Sequence, residues 1–173
     1  MKFIEGYIKF IDKLNTKLGV ITSWLTFVLV LITCYDVFTR YILNESSVAL
    51  QELEWHLFAV IFLMAAAYTL IKDDHVRVDV FYSKFPEQRK AWINLFGTIF
   101  FLIPFCILAI YSSKDFVINS FLFKETSPDA GGLPARYIIK SFIPISFIFL
   151  LLQGVSQLFK SFLEIKNKGN YKI

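Results

Sequence analysis

Four stretches of this chain of 173 residues contain no Asp, Glu, Lys or Arg: 18–35, 55–71, 91–113 and 141–159. They are 18, 17, 23 and 19 residues long. An α-helix of roughly 20 apolar residues crosses the hydrocarbon of a bilayer. Lipid offers no hydrogen bonds, so a crossing segment must satisfy its own amides, as a helix or in a closed barrel. Barrel strands need short alternating segments, and these long unalternated runs are the wrong pattern. The expectation is an all-α integral membrane protein, one membrane domain over 1–173, with spans at about 18–41, 50–71, 91–113 and 138–159.

Composition agrees. The chain is 56% hydrophobic and 18% charged, with 20 Phe. A water-soluble domain carries about 25% charged residues. Disorder is excluded by the apolar content. Thirteen of the 18 Lys and Arg residues fall on the side holding both termini and the 72–90 segment. The other five are Arg40, Lys114, Lys124, Arg136 and Lys140. The positive-inside rule therefore places both termini in the cytoplasm. The net charge of +4 then suits topology and anionic lipid headgroups, not nucleic acid, because the basic residues are dispersed around the spans.

Residues 1–18 lack a cleavable signal pattern. Phe3, Ile4, Tyr7, Ile8, Ile11, Leu14 and Leu18 recur at helical spacing, with Lys and Asp12 on the other face. This amphipathic segment either lies in the interfacial plane and turns into the first span at Gly19, or simply extends that span. The loop at about 114–137 contains the turn-rich run Ser127-Pro-Asp129-Ala-Gly131-Gly132-Leu-Pro134. Helical patterning persists from Lys114 to Phe123, and Pro134 is expected to open the fourth helix. Pro104 and Pro144 are expected to kink the third and fourth spans.

Charges beside the hydrocarbon are costly and need partners. Asp36 and Arg40 share one helix face, as do Glu52 and His56, whereas Glu54 lies on another. These residues end consecutive antiparallel spans. The expectation is a polar cluster joining Arg40 to Glu52 or Glu54, with His56 beside it. Headgroup-boundary markers and a proton or substrate pathway are the alternatives. Gln153 and Gln157 can join helices through their amides, and Ala65, Ala66 and Ala67 allow close helix approach. His75, Arg77 and Asp79 belong to a mixed-charge stretch on the cytoplasmic interface that is too rich in cations for a metal site. No nucleophile–base pair, phosphate loop or zinc spacing is present, so no catalytic residue, metal or cofactor is expected. Cys34 and Cys106 lie inside spans, without redox or metal spacing.

The runs Asp36-Val-Phe-Thr-Arg40-Tyr-Ile-Leu-Asn44 and Gln51-Glu-Leu-Glu-Trp55-His56-Leu-Phe58 resemble the small membrane subunit of tripartite ATP-independent periplasmic (TRAP) transporters. So does Asp74-His75-Val-Arg77-Val-Asp79-Val-Phe-Tyr82. The loop from Ser127 through Asp129, Gly131 and Gly132 to Arg136 resembles the mannitol, chloroaromatic or keto-acid branch. The resemblance implies a non-enzymatic permease subunit in the bacterial cytoplasmic (inner) membrane, crossing it several times. It implies sodium-coupled, binding-protein-dependent uptake of an organic acid. The partners would be a large elevator-type membrane subunit holding the sodium sites, a periplasmic substrate-binding protein facing the Ser127–Arg136 loop, and membrane lipid. The small subunit would brace the large one. Two other classes compete: a small four-helix redox enzyme using Cys34 and Cys106, and a self-sufficient small transporter or channel.

Overall fold

Apolar side chains all round a span do not by themselves say which side of the helix packs against protein. The structure, a computed structural model, describes residues 2–72, 82 and 84–166. Among these residues it is all helical, with four helices long and apolar enough to cross a membrane. They are α1 (Lys2–Leu43), α2 (Val48–Lys72), α3 (Glu87–Leu122) and α4 (Tyr137–Lys166). The stretch containing His75, Arg77 and Asp79 lies outside the described residues.

Local chemistry sets the helix ends. The last turn of α1, Thr39–Leu43, widens to a π turn, and Asn44 follows with φ +56°. Asn tolerates this left-handed conformation, and its amide returns to the Thr39 carbonyl. In α3 a second π turn, Thr98–Leu102, stands directly before Pro104. Ile103 donates its amide to the Thr98 carbonyl, so the helix is already widened where proline removes a donor. Pro144, by contrast, sits inside a continuous α4.

Two sequence expectations change. Helix α4 begins at Tyr137, not at Pro134, because Ala135 adopts φ +60° and breaks the helix backwards. The N-terminal segment does not turn at Gly19, because α1 is helical without a break from Lys2 to Phe38. Gly19 serves close packing instead. A Cβ there would lie 2.5 Å from Cγ of Tyr68, so the α1 backbone rests against that ring.

The helices form a row. Helix α2 packs between α1 and α4, and α3 packs on the other side of α4, giving the order α1, α2, α4, α3. Helix α1 also reaches α4, beyond the end of α2. Leu70, Cys106 and Leu150 meet at the middle, with Ala66, Leu102, Phe147 and Leu151 around them. Ala67 is buried as well. Gly154 lets the π turn approach, since a Cβ there would stand 2.9 Å from Leu102 Cδ2. Elsewhere the row shows extensive apolar surface, including Trp24, Phe62, Phe101 and Tyr111. That much apolar area is not stable in water and marks contact with lipid or another protein.

Candidate functional site

The polar residues gather at the two ends of the row. One end carries the loops 44–47 and 123–136, and the other carries the start of α1 and the end of α4.

At the loop end, Glu52 projects from the first turns of α2 and is only 4% exposed. Its carboxylate accepts three hydrogen bonds from the 123–136 loop and its junction with α4. Ser127 donates through Oγ at 2.5 Å, Leu133 through its backbone N–H at 2.6 Å, and Arg136 through Nη2 at 3.2 Å. Gly132 is pressed against this carboxylate, since a Cβ would lie 2.8 Å from Glu52 Oε2. The Arg136 guanidinium also sits over the Trp55 ring, 5.9 Å from its centroid. The loop closes on itself. Ser127 donates its amide to Leu133, Gly132 to Asp129, and Arg136 to Glu125. Glu125 pairs with Lys140 of α4. That lysine's hydrogen bond leads the influences that hold the Glu125 carboxyl below the ordinary glutamate range.

Sequence reasoning placed Glu52 in a polar cluster but gave it the wrong partner. Arg40 pairs with Asp36 one turn back on its own helix, and Glu52 is paired by Arg136. Asn44 turns the chain immediately after α1, so Arg40 has its nearest anion on α1 itself. Glu54 and His56 take no part in the Glu52 hydrogen bonds, and buried atoms of both, Oε1 and Nε2, have no partner among the described residues. The His56 ring packs against Trp55, with centroids 4.0 Å apart. Of the loop residues singled out as facing a partner, Ser127, Gly132 and Arg136 turn inward to Glu52. Asp129 and Gly131 stay on the exposed tip, 128–131.

At the opposite end, α1 and α4 are joined by side chains. Asn15 Nδ2 donates to Gln153 Oε1 at 2.8 Å, and both residues are fully buried. Gln153 Nε2 donates to Asp12 Oδ1 at 2.9 Å, and Ser156 Oγ to the same oxygen at 3.2 Å. Lys160 pairs with Asp12 Oδ2 at 2.6 Å. Tyr7 donates its hydroxyl to the Leu152 carbonyl at 3.1 Å and meets Phe159 edge-on. Gln153 thus links helices, whereas half-buried Gln157 makes no such bond among the described residues. Asp12, Asn15 and Lys160 were missed. The usable signal was Asn15, because it continues the Ile8, Ile11, Gly19 stripe and a polar group there requires a partner.

These clasps hold elements together and present no reacting group. Among the described residues, no set of three metal-ligating side chains converges. Cys34 is exposed on α1, whereas Cys106 is buried beside α4, so the thiols lie on the two outermost helices of the row. Two of the pockets are open apolar grooves. One of about 320 Å³ runs between Trp55, Leu63, Phe116 and Ile143, and one of about 500 Å³ runs between Tyr111, Val117 and Pro144.

A single layer of apolar helices, clasped at both ends, defines a multi-pass membrane protein. Residues 29–164 match the family described as tripartite ATP-independent periplasmic transporters, DctQ component, and the chain belongs to that family. It is therefore a small TRAP transporter subunit and not an enzyme. The family implies a large membrane subunit and a binding protein as its partners. Among curated proteins, none matches.

Proposed function

We propose that this subunit is a static brace for the large TRAP subunit. The observation that supports this reading is the row α1, α2, α4, α3 with large apolar side chains exposed along every helix. A single layer encloses no lumen of its own. One face can meet lipid while the other meets a larger protein, so the layer widens an immobile platform beside which another domain slides.

In this reading both termini are cytoplasmic, in the bacterial inner membrane, because Lys and Arg are concentrated at that end. The 128–131 tip faces the periplasm and offers Asp129 to a substrate-binding protein. The transporter takes up an organic acid with sodium, both bound by the large subunit, and this chain contributes neither cofactor nor ion ligand. The Glu52 latch keeps the periplasmic loop in one shape, ready for the incoming partner.

The test is mild-detergent purification of the tagged chain from cells that also make the large subunit. The expected result is a stoichiometric complex that survives size exclusion. Recovery of the small chain alone, from cells in which both subunits are made and membrane-inserted, would contradict the brace.

A further inference from the structure

The first turns of α1 carry an outward face that neither the clasp nor the brace uses. Lys2, Phe3, Lys9, Phe10, Lys13 and Lys17 are all exposed, Phe3 at 87% and Phe10 at 66%. At 3.6 residues per turn they occupy one side of the helix, with Phe3 and Phe10 along one edge and the lysines across the rest. Ile8 and Ile11, on the opposite side, are buried. Among the described residues, the ion pairs include none of these four lysines. The acid on this stretch closest to α4, Asp12, is already neutralised by Lys160.

The level of this face follows from the clasp. From Tyr7 to Asn15, α1 advances about 12 Å at 1.5 Å per residue. Along it, Asn15 bonds Gln153, Asp12 bonds Ser156 and pairs with Lys160, and Tyr7 meets Phe159 while its hydroxyl reaches the Leu152 carbonyl. Residues 7–15 of α1 thus lie against residues 152–160 of α4. Tyr7 and Asp12 stand level with the end of the charge-free stretch of α4, where Phe159 is followed by Lys160. That is the boundary between hydrocarbon and headgroups.

From this juxtaposition we infer that residues 2–17 dock on the anionic lipid of the inner leaflet. Phe3 and Phe10 enter the acyl boundary, and Lys2, Lys9, Lys13 and Lys17 bind phosphate headgroups. The occupant is a lipid surface because its two chemistries, negative charge and adjoining apolar depth, match the two edges of this face. The clasp to α4 would then fix the whole row at one depth and tilt.

The test uses the full chain in nanodiscs of phosphatidylcholine with or without phosphatidylglycerol. A nitroxide is placed at Phe10→Cys in a Cys34→Ser, Cys106→Ser background, and a Lys124→Cys label serves as the aqueous control. The expected result is a label at position 10 below the phosphate level, reached by oxygen more than by a water-soluble nickel chelate. Native mass spectrometry should also find retained phosphatidylglycerol, lowered by Lys9→Gln, Lys13→Gln and Lys17→Gln together. Each removed lysine should weaken retention about fivefold. All three are exposed, so folding should survive their replacement. Equal water access at positions 10 and 124, or lipid retention indifferent to the lysines, would overturn the inference. So would shielding of position 10 that requires the large subunit.

Discussion

The two clasps use similar groups but restrain different things. Glu52 holds a loop, through one side-chain hydroxyl, one guanidinium and one backbone amide. Asp12 holds a helix, through three side chains that all come from α4. A loop has no hydrogen-bond ladder, so removing its central acceptor frees the whole segment. A helix keeps its own ladder, so removing one clasp residue loosens an interface and leaves both helices intact. The loop-end carboxylate therefore controls a shape, and the opposite one controls a packing.

The largest expected effect is at Glu52. Glu52→Ala leaves the Leu133 amide, Ser127 hydroxyl and Arg136 guanidinium without their acceptor, and unsatisfied buried groups are costly. Limited proteolysis should cut within 123–136 roughly tenfold faster, with the helices intact by circular dichroism. Next is Gly19→Leu, which drives a side chain into Tyr68. A loss of about 1–3 kcal/mol in detergent unfolding is expected, partly recovered by adding Tyr68→Ala. Gln153→Leu should cost about 1–2 kcal/mol, whereas Gln157→Leu should be close to neutral. If Gln157 mattered as much as Gln153, the asymmetry between the two amides would be wrong.

The smallest effects concern charges near water. The Glu125 carboxyl lies below its ordinary range, so its pairing with Lys140 supports the fold fully above the unfolded-state value. That support is lost as pH falls through the lowered folded-state value. Loop proteolysis should accelerate only at strongly acidic pH, and Glu125→Gln should flatten this dependence. Complex yield should fall with Glu52→Ala.

The spans were legible because a stretch free of charge for 17 to 23 residues has few other uses. The family resemblance was legible in the same way, from short motifs in order. The partners of the polar residues were not. Glu52 and Arg136 are separated by two spans, and spacing along one helix cannot reveal a pairing across a loop. Asp36 and Arg40 invited a longer-range assignment, yet the pair one turn apart closes first. The row was equally hidden, because apolar residues all round a helix do not say which sides meet protein.

Transport by reconstituted vesicles addresses the brace most directly. Purified chain alone, inserted in liposomes under an imposed sodium gradient, should move no organic acid above the protein-free leak. Adding the large subunit and loaded binding protein should restore uptake. Sodium-dependent uptake by the small chain alone would mean that these helices build a passage of their own, and the brace would be abandoned.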